Sequence, residues 1–464
     1  MIFNITPERL PGLSAEEMQM LAKLMQTYES HLHKNEQKER YYEGNIPLSQ
    51  VNLGIALPQT FNRLEIGCAW GAKTVDVLAA RSMFDGFVGA DGEEVKELNE
   101  IAAANRFTQE LSKATREELK FGCAFATLSA DPTNKVKIRF HSPKTAAALW
   151  SGEKGRIACG FAIIDTAPDS NSEKTWSPSL INFYTDRAII VLRRVNYRWE
   201  VERHAHKMGR PLMEPLIWNA TSGKPFGRSR IKSYVRHLIE SYVRTVANAT
   251  IGLEFATSPQ KYLLGISDEQ FDAVVDSKFQ RYVGSILAAT TNPETGEIPH
   301  FGQLPQGSIQ PHVEQIRVLA TQFSAATGLP VTDTGVVNDA NPTSSDAIEA
   351  QTKTLVGMAE ELNAGNAESL RNIALMVLAI ANNTSIEELT DEQKNIIAHF
   401  KNPAMPSVAV TADAAIKIAS ARQGFAQTDT FLEMIGFTQA DIRRIKAQEQ
   451  RARGLALFEE LNVE

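Results

Sequence analysis

Gly67-Cys-Ala-Trp-Gly-Ala-Lys-Thr74 is the stretch of this chain that comes nearest to a catalytic motif. A phosphate-binding loop needs G-x-x-x-x-G-K-[ST], because small residues let successive backbone N–H groups wrap the phosphates. Ala72 stands where the second glycine belongs, and Trp70 puts a bulky ring inside the turn. Phe161-Ala-Ile-Ile-Asp165 reads as an apolar strand ending in an acid that could hold Mg²⁺. That strand sits among segments that read as antiparallel, without β-α alternation. A nucleotide hydrolase using Lys73, Thr74 and Asp165 is therefore a second reading. The bland alternative is a helix start with Lys73 in solvent.

Other chemistry is sparse. His31-x-His33 and His204-x-His206 lack a nearby Cys or acid cluster, and residues two apart on a helix do not face each other. They read as solvated histidines. No G-x-S-x-G or H-E-x-x-H occurs, and no G-x-G-x-x-G follows a predicted strand. Acidic pairs such as Glu16-Glu17, Glu93-Glu94 and Glu459-Glu460 lie in polar helical stretches and read as solvated faces. The three cysteines, Cys68, Cys123 and Cys159, form no C-x-x-C and are odd in number, so buried thiols are expected rather than disulfides or zinc. The sequence assigns no catalytic, cofactor-binding or metal-binding residue.

Composition narrows the class. At 464 residues, 43% hydrophobic and 22% charged, the chain reads as soluble and globular, in two to four structural units. Nothing approaches the apolar run a transmembrane helix needs, and the start Met1-Ile-Phe-Asn-Ile-Thr-Pro-Glu-Arg9 shows no signal peptide pattern. With 48 basic and 55 acidic residues the formal charge is −7, which argues against a protein that coats nucleic acid. The charge is uneven. Residues 193–210 carry six Arg/Lys against two Glu, and residues 228–250 carry five against one.

The elements that must position these residues follow from periodicity. Ser14-Ala-Glu-Glu17 fits a capping box, and Met18, Leu21, Met25, Tyr28 and Leu32 mark a helical stripe after it. Helices are predicted around residues 74–80 and 93–118. Strands are predicted at 123–128, 135–140, 157–165, 180–184 and 188–195, an antiparallel sheet beside helices and so an α+β unit. Pro225-Phe-Gly-Arg-Ser-Arg230 then opens a predicted long helix with Ile231, Tyr234, Val235, Leu238, Ile239, Tyr242, Val243 and Val246 on one stripe. Arg228, Arg230, Lys232, Arg236 and Arg244 mostly fall off that stripe. Two readings of these cations are open: phosphates lining a passage, or acids on a neighbouring subunit, the second favoured because the chain is acidic. A compact insert follows, with a capping box at Ser267-Asp-Glu-Gln270 and a turn at Asn292-Pro-Glu-Thr-Gly296. A second helix carries Val313, Ile316, Ala320 and Phe323 and ends at Gly328. Capping boxes at Thr343-Ser-Ser-Asp346 and Thr438-Gln-Ala-Asp441 open further helices, with another helix near Thr390 and a linker marked by Pro403 and Pro406.

This order of features resembles the portal proteins of tailed double-stranded DNA bacteriophages, especially those of long-tailed siphophages. The wording that carries the resemblance is Tyr41-Tyr42-Glu-Gly44-Asn45, Pro225-Phe-Gly-Arg-Ser-Arg230, Lys261-Tyr-Leu-Leu-Gly265, Gln303-Leu-Pro-Gln-Gly-Ser308, Ala325-Ala-Thr-Gly-Leu-Pro330 and Asn341-Pro-Thr-Ser-Ser-Asp346. It covers most of the chain. The resemblance implies a portal-like α+β fold: a mixed wing with an antiparallel sheet (residues 1–224), stem helices (225–250 and 309–328) flanking a small α/β clip (251–308), and a helical crown. Residues 344–400 would form wing and crown helices and 401–464 the last crown helices. Residues 329–343 would hold a tunnel loop, with Thr332, Asp333, Thr334, Asn338, Asp339 and Asn341 as candidates.

By the same resemblance the chain is no enzyme and needs no cofactor. It would form a homo-oligomeric ring, usually of twelve copies, at one capsid vertex of the virion, assembled in the host bacterial cytoplasm. Double-stranded DNA would pass through it. The packaging terminase large subunit, a head-tail adaptor, and major capsid and scaffolding proteins would be its partners, with no membrane involved. Another ring-forming virion protein is a third reading.

Overall fold

A computed structural model describes residues 10–46, 66–90, 92, 94–169, 172–195, 198–257, 261–265, 267, 291–292, 295–296, 298–303, 308–336, 345–404, 408–422, 424–437, 441–442 and 444–452. The chain divides into two units. The first comprises Met1–Glu39, Lys73–Lys232 and Pro342–Glu464, the second Arg40–Ala72 and Ser233–Asn341.

In the first unit, the Ser14 capping box forms: the Glu17 N–H donates to Ser14 Oγ at 3.2 Å, and the Ser14 N–H to Glu17 Oε2 at 2.8 Å. Helix α1 (Ala15–Tyr42) follows it. Its apolar stripe, Leu21, Leu24, Met25 and Tyr28, packs on one face of a five-stranded antiparallel sheet. That sheet has the order β4 (Ala146–Ser151), β5 (Arg156–Asp169), β6 (Ser172–Tyr184), β7 (Ala188–Val195), β8 (Arg198–Ala205). Alternation decides which side chains meet α1. Cys159, Phe161 and Ile163 of β5 face it, whereas Ala162 joins the core on the opposite face.

That second core gathers a three-stranded sheet, β3 (Lys135–His141), β2 (Cys123–Asp131) and β9 (Met213–Ile217), with three helices. Two of these helices are α3 (Lys96–Ala104) and α4 (Phe107–Phe121). The single helix predicted across residues 93–118 is broken at Asn105-Arg106. The Asn105 side chain donates to the Ile101 and Val136 carbonyls and accepts from the Ile138 N–H, while Arg106 takes φ 52°. The break thus fixes strand β3 against the helix end.

The third helix, α7 (Ser345–Ala381), is the 37-residue helix that the sequence predicted after Pro342. Toward its C-terminal end the helix is apolar all round: Leu370 and every residue from Ile373 to Ala379 are buried, as a helix surrounded by protein requires. Three asparagines pin it. Asn363 accepts from Ser82, Asn366 donates to Glu118, and Asn372 donates to Glu214. A small sheet of β1 (Phe84–Val88) and β12 (Ile397–Phe400) also belongs to this unit. Helices α2 (Trp70–Ala79), α8 (Asp391–Lys394), α9 (Val408–Ala421) and α10 (Asp429–Ile435) complete the named helices outside the second unit's pair.

The second unit is built on α5 (Ser233–Thr257) and α6 (Gln310–Thr327), which pack against each other. A two-stranded antiparallel ribbon, β10 (Lys261–Leu264) with β11 (His300–Gln303), lies between them in sequence. The capping boxes predicted at Ser267-Asp-Glu-Gln270, Thr343-Ser-Ser-Asp346 and Thr438-Gln-Ala-Asp441 fall wholly or partly outside the described residues.

Candidate functional site

On α5 the residues spaced four apart, Val235, Ile239, Val243 and Ala247, are buried. Helix α5 packs against α6, in whose second half Leu319, Ala320 and Phe323 are buried, and the small Ala247 and Ala320 suit close helix packing. The predicted stripe is therefore narrower than eight positions. Tyr234 is 44% exposed, as are Leu253 at 45% and, on α6, Val313 at 39% and Val318 at 49%. These four large apolar side chains stay open in the single chain.

Trp70 fills the centre of this unit. Its ring lies 4.7 Å from Phe323 and 4.5 Å from Tyr242, and its indole N–H donates to the Thr334 carbonyl at 3.2 Å. Gly71 follows because any side chain there collides: a Cβ would sit 1.9 Å from the Tyr41 carbonyl oxygen. Tyr41 in turn donates to the Glu240 carboxylate, with the Arg236 guanidinium 5.7 Å from its ring centre. Burial first, then the Glu240 contact, pushes the Tyr41 phenol up to about 12. The glycine and tryptophan that mimic a phosphate loop thus serve helix packing.

The five cations of the predicted stem divide by position. Arg228, Arg230 and Lys232 precede α5, which begins at Ser233. Pro225-Phe-Gly-Arg-Ser-Arg230 is not a helix start but an anchor. Gly227 has φ 68° and a Cβ there would lie 2.1 Å from the Trp218 carbonyl oxygen, so only glycine fits. The Arg228 N–H donates to that same carbonyl, the Ser229 hydroxyl to the Lys120 carbonyl at 2.5 Å, and the Arg230 N–H to the Leu119 carbonyl. Arg230 is only 7% exposed; its Nε donates to the Thr74 carbonyl at 2.6 Å and its plane lies over Trp218. The expectation that Arg230 meets DNA or another subunit gives way here, because its guanidinium is committed inside its own chain. Arg228 and Arg244 are exposed, and Lys232 and Arg236 are half-buried.

The candidate loop residues are likewise divided. Val331–Thr334 form one turn of 3-10 helix, in which Thr334 is buried and its hydroxyl donates to the Val331 carbonyl at 2.6 Å. Thr334 is thus a packing residue, its carbonyl held by Trp70. Thr332 is exposed and Asp333 half-buried, while Asn338, Asp339 and Asn341 lie outside the described residues.

The remaining motifs resolve into structure. Thr74 is fully buried, Lys73 is exposed to solvent, and Asp165 is exposed at a register shift of an antiparallel sheet, accepting from the Thr166 N–H at 2.8 Å. His31, His33 and His204 are exposed, and no group of metal-ligating side chains occurs among the described residues. All three cysteines are free and buried, and burial raises their thiols to about 11 (Cys68) and about 12 (Cys123 and Cys159). No described helix is long and apolar enough to cross a membrane.

Residues 21–247 match the family model described as phage portal protein, SPP1 Gp6-like. Portal proteins of Mycobacterium phages D29 and L5 are each 24% identical to the chain, over 424 and 426 residues, covering 88% of this chain and 84% of each relative. The chain is similar to the phage portal protein family along most of its length. That family is structural and non-enzymatic. Among solved structures, a chain from the virion of a native gene transfer agent particle has a TM-score of 0.46 at 12% identity, covering 87% of this chain and 93% of that one. A chain from the neck of an empty particle of that agent, computed with C6 symmetry, has a TM-score of 0.45 at 12% identity, covering 79% and 90%.

Proposed function

We infer that copies of this chain close into a ring at one capsid vertex and form the conduit by which viral double-stranded DNA enters and leaves. The single observation that carries the reading is the match to portal proteins along most of the chain. The exposed Tyr234, Leu253, Val313 and Val318 on α5 and α6 support it, because a neighbouring copy can cover what one helix pair leaves open. A contact between different faces of identical copies closes into a ring when its rotation permits.

Within that reading, residues 1–224 form a wing, α5 and α6 a stem, the segment between them a clip, and the helices after residue 344 wing and crown. The clip is the docking place for the terminase large subunit and later for head-tail adaptors, with capsid and scaffolding proteins meeting the wing. Thr332 and Asp333 remain candidates for the tunnel wall together with Asn338, Asp339 and Asn341. Of the stem cations, Arg244 is the cleanest contact candidate, since it is exposed.

The test is assembly. Negative-stain images and native mass spectra of the purified full chain are expected to show rings with a central hole. Monomers or dimers alone at high concentration would overturn the reading. Arg244→Glu is expected to reduce ring yield more than it changes binding to free DNA; the reverse ranking assigns Arg244 to phosphate contact instead.

A further inference from the structure

Glu118 on α4 has no exposed surface, and Asn366 on α7 is 2% exposed. One hydrogen bond joins them: Asn366 Nδ2 donates to Glu118 Oε2 at 2.9 Å. The other oxygen of each group, Glu118 Oε1 and Asn366 Oδ1, has no hydrogen-bond partner among the described residues. Two unpaired acceptors on the same two side chains are a specific problem, since a buried acceptor without a donor is costly. One proton solves it. A carboxylic acid facing a carboxamide forms two parallel hydrogen bonds, with each group both donor and acceptor.

We propose that Glu118 is carried in the folded protein as a neutral acid, its Oε1–H donating to Asn366 Oδ1, so that the seating of α7 on α4 depends on one proton. Among the described residues, burial and the Asn366 hydrogen bond are what act on the Glu118 carboxyl. On α4 itself, Glu117 pairs with Lys120 at 2.8 Å. On β2 the Cys123 thiol is buried, and Lys38 of α1 donates to the Phe121 carbonyl at 2.9 Å. Arg230 is turned to the Thr74 carbonyl and to Met358 of α7. Glu361 and Glu368 on α7 are exposed. Burial accordingly raises the Glu118 carboxyl to about 8, with the Asn366 contact only partly opposing. The inference is independent of ring formation.

Between the ordinary carboxylate value of 4.5 and about 8 the folded state holds a proton that the unfolded state has lost. Folding is therefore favoured at the acid end of that window and weakens as pH rises, by about tenfold in equilibrium constant per pH unit, levelling off above it. Urea unfolding of the full chain, wild type against Glu118→Gln, reads this directly, because glutamine supplies the same donor without titrating. The ratio of the two folding constants is expected to fall by about tenfold per pH unit through the window. Parallel pH profiles would overturn the proposal. Should Glu118→Gln not fold, infrared spectra of wild type and Asn366→Leu near neutral pH decide. A protonated carboxyl band that shifts in Asn366→Leu supports the pair; no such band, or one unmoved, overturns it.

Discussion

Trp70 is where the sequence motif and the structure part company. In a phosphate loop its ring would obstruct the ligand; here it is the packing centre between Tyr242 and Phe323. Trp70→Ala is expected to cost about 3–5 kcal/mol of stability, the range for deleting a large core side chain. Trp70→Phe keeps most of the stacking but leaves the Thr334 carbonyl without its donor, for about 1 kcal/mol. Urea titration of the two variants checks the ranking. Lys73→Ala should leave both stability and assembly near wild type, and a large loss would revive a role for that lysine. His141 offers a pH test at the same scale. Burial, then Arg139, lowers its ring to about 4, and Nε2 lies 2.9 Å from Thr127 Oγ1. The unfolded histidine binds a proton near 6.5 while the folded one resists until about 4, so stability falls as pH drops through that window. His141→Gln is expected to flatten this acid-side loss in thermal unfolding scans; an unchanged slope assigns the loss to other groups.

At the scale of elements, the long periodic segments were legible. The stripe on α1, the capping box at Ser14, the helix end at Gly328 and the 37-residue α7 all follow from spacing that a single helix face imposes. Strands β2, β3, β5, β6 and β7 were legible from their apolar and β-branched runs. Strand β4 was not, because Ala146-Ala-Ala-Leu149 has a helix former's composition and becomes a strand only by pairing with β5. Strand β8 was hidden by its charges, with Arg198, Glu200, Glu202 and Arg203 on a sheet edge where charge discourages further pairing. The helix break at Asn105 and the anchor at Pro225–Arg230 depend on carbonyls far away in sequence, which no local pattern reveals. Gly227→Ala tests the anchor. The added Cβ meets the Trp218 carbonyl oxygen at a backbone angle that disfavours alanine, so a loss of about 1–3 kcal/mol is expected. A thermal midpoint equal to wild type would mean that the turn yields more easily than its contacts imply.

For the whole molecule, charge sets the limit on what a conduit can do. Duplex DNA exposes a phosphate about every 1.7 Å of axis, so a tunnel lined with many paired cations would bind tightly and release poorly. This chain carries a net charge of −7, Arg230 is turned inward, and Arg236 sits against Tyr41 in its own unit. Few of the stem cations are left to meet a phosphate. The assembled protein is therefore expected to bind short duplexes no more tightly than ordinary non-specific binders, about 10⁻⁴ M or weaker at physiological salt, with a shallow dependence on salt. Fluorescence anisotropy across a salt series measures both quantities. Tight binding with a steep slope would mean that cations of several copies converge on the DNA, and Arg228 and Arg244, exposed in the single chain, would be the first to substitute in locating them.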